Sequence, residues 1–384
     1  MKILHTSDWH LGHSLYNYDR TEEQASMLEQ MASIVGEQRP DVFLICGDVD
    51  HTPQPSAAVQ TMLTEALMRL HDANPQMTIV MTAGNHDSGS KHEIFRLPWQ
   101  ALNVYAIGQL DRAHADSHIV KVDGKGFVVA LPYSSERNIP EGFIQKLLDR
   151  VAELNSEGLP VVLSAHTTVS GCDYTGHDRA TERNVGGIDS LSLEQLGEGY
   201  DYLALGHIHR QQFVHSGRHN VRYSGTPLPV SFDETFVHTV SIVGIDRHGD
   251  IPSVEQVEIH NPRPLVTLPT QGYASWEDAM RLLLGFPNDL AAYIRLNVET
   301  DDFLPPEANA EASAATEGKQ CRFCVINSRR KRSVGDDPGA MTVEEFQSEE
   351  PKEIARRYAQ YAGIEFNEEM ESLFDMAIAE LENE

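Results

Sequence analysis

A chain of 384 residues with 58 acidic against 30 basic side chains and a formal net charge of −28 has room for two or three domains and is too acidic for a broadly basic nucleic-acid binder. It holds no apolar run long enough to span a membrane, and its start, Met1-Lys2-Ile3-Leu4-His5, lacks the apolar core and cleavage site expected of a signal peptide. The four cysteines, Cys46, Cys172, Cys321 and Cys324, are too scattered for a disulfide framework, so a reducing cytoplasm is the expected compartment.

In chain order, Lys2–Thr6 predicts a short buried strand that delivers Asp8 and His10. Two residues apart in an extended stretch, a carboxylate and an imidazole point to one side and can share a divalent cation. Thr21–Gln38 has helical spacing (Met27, Leu28, Met31, Ile34, Val35) and stops before Pro40. Val42–Cys46 is a continuous apolar run, the pattern of a buried parallel strand, and leads into Gly47-Asp48. Residues 56–71 predict a helix, and Thr78–Thr82 a strand leading into Gly84-Asn85-His86-Asp87. Residues 104–131 predict short strands with Gly and Asp turns. Residues 161–165 deliver His166, and residues 202–205 deliver Gly206-His207-Ile208-His209. Residues 223–232 and 237–245 then predict antiparallel strands closing a second sheet. Strand–helix alternation of this kind implies a layered α/β fold with its functional loops at the carboxyl ends of the strands.

Five strand ends thus present Asp8/His10, Asp48, Asn85/His86, His166 and His207/His209. Glycine before Asp48, Asn85 and His207 is expected to permit the turn that exposes the ligand. Oxygen and imidazole ligands without thiolate suit manganese, zinc or iron, and there are more than one ion needs. Two ions sharing a bridging carboxylate, about 3.5–4 Å apart, account for the set. If these residues were unrelated caps and core histidines, five strand termini would have to coincide.

The series Asp8-x-His10, Gly47-Asp48, Gly84-Asn85-His86-Asp87, His166 and Gly206-His207-x-His209 resembles the calcineurin-type metallophosphoesterase superfamily. More narrowly, residues 4–12, 204–209 and the stretch Tyr223-Ser224-Gly225-Thr226-Pro227-Leu228-Pro229-Val230-Ser231-Phe232 resemble the SbcD family, nuclease subunits of SbcCD complexes that process DNA ends. The resemblance implies a β-sandwich flanked by helices. It also implies that one metal takes Asp8, His10 and His209, the other Asn85, His166 and His207, and that Asp48 bridges them. His86 then protonates the leaving oxygen or stabilises the transition state, Asp87 orients His86, and His51 is a second substrate-side histidine. The cofactors implied are two Mn2+, with Mg2+, Fe2+ or Zn2+ as alternatives. Asp50 departs from the family, which places an aromatic residue there; a carboxylate so close to Asp48 can repel a phosphate or alter a pKa. No Ser or Cys nucleophile pattern and no phosphate-binding glycine loop is present, so any ATP hydrolysis belongs to a partner.

After Pro262-Arg263-Pro264, Leu265–Leu268, 275–284, 292–298 and 322–328 read as strand, helix, strand and strand. Residues 305–318 are Ala/Glu-rich and read as helix or linker. This order suggests a small α+β capping domain. The Cys321-x-x-Cys324 pair lacks the second pair of a zinc site and reads as part of the last strand. The cluster Arg329-Arg330-Lys331-Arg332 fits either a DNA-backbone contact or a solvated strand end. The expected organisation is a nuclease domain at 1–262, a cap at 263–332, a linker at 333–342 and a helical tail at 343–384. The tail has two amphipathic patterns and carries three basic against thirteen acidic side chains. It fits a hairpin on its own domain or, by the resemblance, a docking element for an SbcC-like SMC-type ATPase. The resemblance also implies a homodimer pairing through 56–71 and 91–102. Two other functions stay open on the sequence: a small-molecule or nucleotide phosphoesterase, and a scaffold that has lost catalysis.

Overall fold

The computed structural model describes residues 1–175, 190–215, 218–301 and 303–331, with 352–356, 366–367, 370–371 and 374. The chain begins with β1 (Lys2–Thr6), α1 (Thr21–Gln38), β2 (Val42–Cys46), α2 (Ala57–Ala73), β3 (Thr78–Thr82), α3 (Gly89–Gln100) and β4 (Val104–Ile107). Then come β5 (Ile119–Val122), β6 (Gly126–Leu131), α4 (Phe143–Leu154), β7 (Val161–His166), β8 (Thr168–Val169) and β9 (Ser190–Leu191). They are followed by β10 (Tyr202–Gly206), β11 (Gln212–Phe213), β12 (Val221–Tyr223), β13 (Thr239–Gly244) and β14 (Ser253–Glu258). The last elements are β15 (Leu265–Leu268), α5 (Trp276–Leu284), β16 (Tyr293–Thr300), α6 (Ala308–Ala314) and β17 (Arg322–Arg330).

Two six-stranded sheets form, in the orders β14-β13-β1-β2-β3-β4 and β11-β12-β10-β7-β6-β5, and β8 pairs with β9. Period-two alternation explains why the central strands are apolar throughout. Val42, Leu44 and Cys46 face a middle core with Val80, Val128, Val162 and Ala204 from both sheets. Phe43 and Ile45 face the opposite way, onto Met27, Met31 and Leu67 of α1 and α2. On the far side, Leu163 and Leu203 pack against Ile144, Leu147 and Val151 of α4. The result is a helix–sheet–sheet–helix sandwich. The parallel strands β1, β2, β3, β7 and β10 all end at one edge, and the loops that leave this edge carry the ligand-type residues.

One expectation fails between 223 and 245. The first strand is only Val221–Tyr223, and it is parallel to β10; the second, Thr239–Gly244, is antiparallel but pairs with β1 in the first sheet. The intervening residues form no strand. Pro227 and Pro229 cannot donate to a ladder. The Thr226 hydroxyl instead donates to the Asp8 carbonyl at 2.8 Å, and the Ser224 and Ser7 hydroxyls meet at 2.8 Å.

The third sheet, β15-β16-β17, packs with α5 and α6 around Leu268, Leu283, Ile294, Leu296 and Phe323. Cys324 lies in β17, and both Cys321 and Cys324 are free thiols. Residues 308–314 are helix, so the Ala/Glu-rich stretch is not merely linker. A buried carboxylate fastens this sheet to α1: Glu23 accepts from Tyr293 Oη at 2.8 Å and pairs with Arg263 at 3.2 Å. Tyr18 Oη donates to the Phe323 carbonyl at 2.9 Å, and Arg295 pairs with Asp233 at 2.7 Å.

By its contacts the chain divides into residues 1–298 with 304–328, and residues 299–303 with 329–384. In the second unit Arg329 pairs with Glu299 at 2.9 Å and Lys331 with Asp301 at 3.4 Å. At least two of the four basic residues are therefore paired with acidic neighbours, which suits the solvated strand end; Arg332 lies outside the described residues. Of the expected tail, residues 352–356 are helical; the linker 333–342 and most of 343–384 lie outside the described residues. Among the described residues no helix is long and apolar enough to cross a membrane.

Candidate metal centre

The backbone brings the ligands together before any side chain does. The loop after β1 is stitched to the loop after β2: Asp8 N–H donates to the Gly47 carbonyl and His10 N–H to the Asp48 carbonyl, each at 3.0 Å. Asp8 (φ 54°), His10 (φ 46°), Asp48 (φ 51°) and His207 (φ 98°) are all left-handed, a conformation that is uncommon outside glycine and that clusters at functional sites. Asp8 and His10 converge through this turn, and not through strand alternation as expected.

Of the three glycines, only Gly47 supplies the expected turn. Gly47 (φ 85°) makes a turn, and a Cβ there would lie 2.2 Å from His166 Nδ1. Gly84 and Gly206 are needed for close approach alone: a Cβ would lie 2.1 Å from Asp48 Oδ1 and 1.8 Å from the Cys46 carbonyl, respectively.

Two triads that include a carboxylate result, Asp8/His10/His209 and Asp48/His166/His207, each with its atoms within 4.8 Å of one another, and His10, His51 and His86 form an all-imidazole triad at the same spacing. His10 Nε2 and His209 Nε2 are 3.3 Å apart. Asn85 Oδ1 lies 3.1 Å from His166 Nε2 and 3.0 Å from His207 Nδ1. Asp48 Oδ2 faces both groups, 3.4 Å from His166 Nε2 and 3.9 Å from His10 Nε2. All seven predicted ligands are thus in one place. Asp8 also accepts from the His207 backbone N–H at 3.1 Å with both carboxylate oxygens, fixing its plane.

The rings are oriented from behind. His166 Nδ1 sits 2.7 Å from the Cys46 carbonyl, and His209 Nδ1 sits 2.9 Å from Glu234 Oε1. Partners of this kind fix the tautomer and aim the other nitrogen into the site. Burial opposes a charge on His166, yet the Asp48 carboxylate outweighs it and lifts the pKa to about 9; Glu234 does the same for His209, also to about 9. Burial likewise opposes ionisation of Asp48, but His166 and His10 hold its carboxyl well below the usual range. His10 is pushed the other way: burial lowers its pKa well below 6.5. Imidazole nitrogens 3.3 Å apart beside two carboxylates, with no thiolate, fit divalent cations of the manganese, iron or zinc class.

His86 stands beside this group, its ring centroid 4.9 Å from that of His10 and its backbone N–H donating to Asp48 Oδ1 at 2.8 Å. Its Nδ1 lies 3.0 Å from the His51 carbonyl, and the His51 ring stacks on it at 5.6 Å. This corrects the role expected of Asp87, which does not orient His86. The Asp87 carboxylate accepts three backbone N–H groups, from Val49 (3.1 Å), Asp50 (2.8 Å) and Gly84 (2.8 Å), and so ties the loop after β2 to the loop after β3. Asp50 is buried beside Asp87 and His92 rather than in either triad, and burial, then Asp87, pushes its carboxyl up to about 7.

Three contributors were not foreseen. Glu234 lies two residues past the Pro-rich stretch that marked the family. His13, three residues past His10, has its ring 4.7 Å from that of His51, and burial, then Arg20, lowers its pKa to about 3. Tyr133 places its ring 6.2 Å from both His166 and His207. Only Glu234 had a signal in the sequence, an acidic residue adjoining a motif already in view.

Residues 1–211 match the family model for calcineurin-like phosphoesterases. The SbcD subunit of nuclease SbcCD from Rhodobacter capsulatus is 30% identical over 311 residues, which cover 74% of this chain and 75% of the relative. The protein of the same name from Bacillus subtilis is 30% identical over 69% of this chain and 71% of its own. The Escherichia coli K12 protein of that name is 25% identical over 86% of both.

Proposed function

Because the chain belongs to the calcineurin-like phosphoesterases and, among them, to the SbcD family of nuclease subunits, we propose that it is the nuclease subunit of an SbcCD-like complex, hydrolysing DNA phosphodiesters at double-strand ends and hairpins. The observation that carries this reading is the pair of ligand triads with Asp48 facing both. We assign one cation to Asp8, His10 and His209 and the other to Asn85, His166 and His207, with Asp48 shared and manganese as the metal. Bound divalent cations supply Lewis-acid polarisation of the phosphate and a water acidic enough to attack at neutral pH.

The chain's own residues do the rest. His86 sits beside His10 but belongs to neither carboxylate-containing triad, and we assign its ring to donate a proton to the leaving oxygen. The His51 carbonyl holds His86 Nδ1, which leaves Nε2 as the atom that meets substrate. His51 lines the same side, where its ring can contact the phosphate. Glu234 and the Cys46 carbonyl keep two imidazoles aimed inward.

We divide the chain into a nuclease domain at 1–262, a cap at 263–332, a linker at 333–342 and a tail at 343–384 that docks on an SbcC-like SMC-type ATPase. The acidic tail has few cations with which to displace DNA counterions, so its apolar stripes suit a protein surface. A homodimer is supported by α3, where Ile94 and Leu97 are 70% and 77% exposed beside Phe95. Exposed apolar side chains one helical turn apart, as Ile94 and Leu97 are, suit an interaction surface. The compartment is the cytoplasm, where the DNA and the ATPase are found.

The test is a nuclease assay on duplex, hairpin and single-stranded DNA with Mn2+ or Mg2+, with and without the ATPase. Manganese-dependent cleavage of duplex ends and hairpins, stimulated by the partner and ATP, is expected. Hydrolysis of mononucleotides without a partner and no action on DNA would overturn the proposal.

A further inference from the structure

Away from the main centre, a separate group of ligand-type side chains is buried between α3 and the loops after β2 and β3. Asp50, Asp87 and His92 each offer one ligand atom, all within 4.8 Å of one another. His92 is 3% exposed, yet neither of its ring nitrogens has a hydrogen-bond partner among the described residues. Its Nε2 points at Asp87 Oδ1 from 4.0 Å, too far for a hydrogen bond. Asp50 is 6% exposed, and its Oδ1 is also without a hydrogen-bond partner among the described residues. A buried polar atom left unmatched is costly, and here two side chains that carry such atoms, His92 and Asp50, adjoin.

The chemistry of the group narrows what could match them. Asp87 is held rigidly by its three backbone N–H donors and keeps lone pairs to spare. Burial lowers the His92 pKa, with Asp87 and Glu93 opposing, which keeps the ring in the neutral form that binds metals. Lys91 lines the adjoining cavity, and among the described residues no ion pair joins it to either carboxylate. Metal–ligand bonds of about 2.0–2.2 Å let two ligands of one ion stand up to roughly 4.4 Å apart, and the 4.0 Å gap is within that span. The cavity, about 30 Å³ and lined by Asp50, Gln60, Lys91, His92 and Trp99, exceeds the roughly 10–15 Å³ that a water occupies. Water can therefore complete the coordination.

We propose that Asp50, Asp87 and His92 hold a third divalent cation of the zinc or manganese class, separate from the catalytic pair, which pins α3 to the loops that carry Asp48 and Asn85. The ion accepts the His92 lone pair and offsets two adjoining carboxylates, beyond what the Lys91 charge does for Asp50 and the three backbone N–H groups do for Asp87. Its place is structural, since none of the three side chains belongs to either triad.

The experiment is metal analysis of the full chain after loading with Zn2+ or Mn2+ and removal of free ion, for wild type, His92→Gln and Asp50→Asn. Each variant is expected to bind one equivalent fewer than wild type. The readout is a difference, so it does not depend on how many ions the main centre takes up or on what that centre cleaves. Co2+ loading gives a second reading: the visible absorption of wild type minus that of each variant should show a one-nitrogen, oxygen-rich site. Equal metal content in wild type and in either folded variant would overturn the proposal, and an ordered water would then be what His92 meets.

Discussion

His86 and Glu234 touch the same centre in different ways, and substitution should separate them. His86→Ala should retain the metal content of wild type while turnover falls by roughly 10²–10⁴, the usual worth of a positioned acid or base; loss of metal in that variant would make His86 a ligand. Glu234→Gln keeps the shape but weakens the charged hydrogen bond at 2.9 Å to His209. It should weaken metal binding by about 10–100-fold with a smaller effect on the turnover of the loaded enzyme, as read by titration and steady-state kinetics. The centre should also release protons as it fills. With no cation bound, His166 and His209 titrate near 9, so below that pH a cation competes with a proton on each. Affinity should therefore rise with pH and level off above about 9, and calorimetry near neutral pH in buffers of different ionisation enthalpy should show net proton release. Affinity that is flat across this range would remove Asp48 and Glu234 as the source of the shifts.

At the scale of elements, α3 packs on β4 but presents apolar side chains outward. It buries His92 and Trp99 and leaves Ile94, Leu97 and part of Phe95 in solvent. If that face pairs with a second copy, Leu97→Asp places a charge in an apolar contact and should give a monomer by light scattering without lowering the melting temperature. An unchanged dimer would move the interface elsewhere. The loop 224–238 makes the opposite point. It has no regular structure, but the Thr226 hydroxyl holds the Asp8 carbonyl and Glu234 holds His209, so an irregular segment positions the centre.

For the whole molecule, the sharpest division is between the sandwich with its attached three-stranded sheet and the residues beyond 328. Removing residues 343–384 should leave a folded, metal-loaded nuclease that still nicks single-stranded DNA. The truncated chain should lose co-purification with the ATPase and ATP-dependent cleavage of duplex ends. A marked fall in melting temperature with partner binding intact would assign the tail to the chain's own core. The sequence by itself determined the alternation of apolar strands and helices and the residue types at the strand ends. Both are local patterns: a strand such as Val42–Cys46 buried on two faces must be apolar throughout, and a metal centre needs particular donors. Tertiary structure alone decided the rest. Asp8 and His10 converge because their backbone is bonded to residues 47 and 48 and turned to positive φ, which no periodicity encodes. Asp87 binds backbone rather than His86, and Asp50 turns to His92, because each carboxylate goes to the nearest unpaired donors or neighbours in space. The 223–245 stretch splits between two sheets since β13 pairs with the free side of β1, more than 230 residues earlier in the chain.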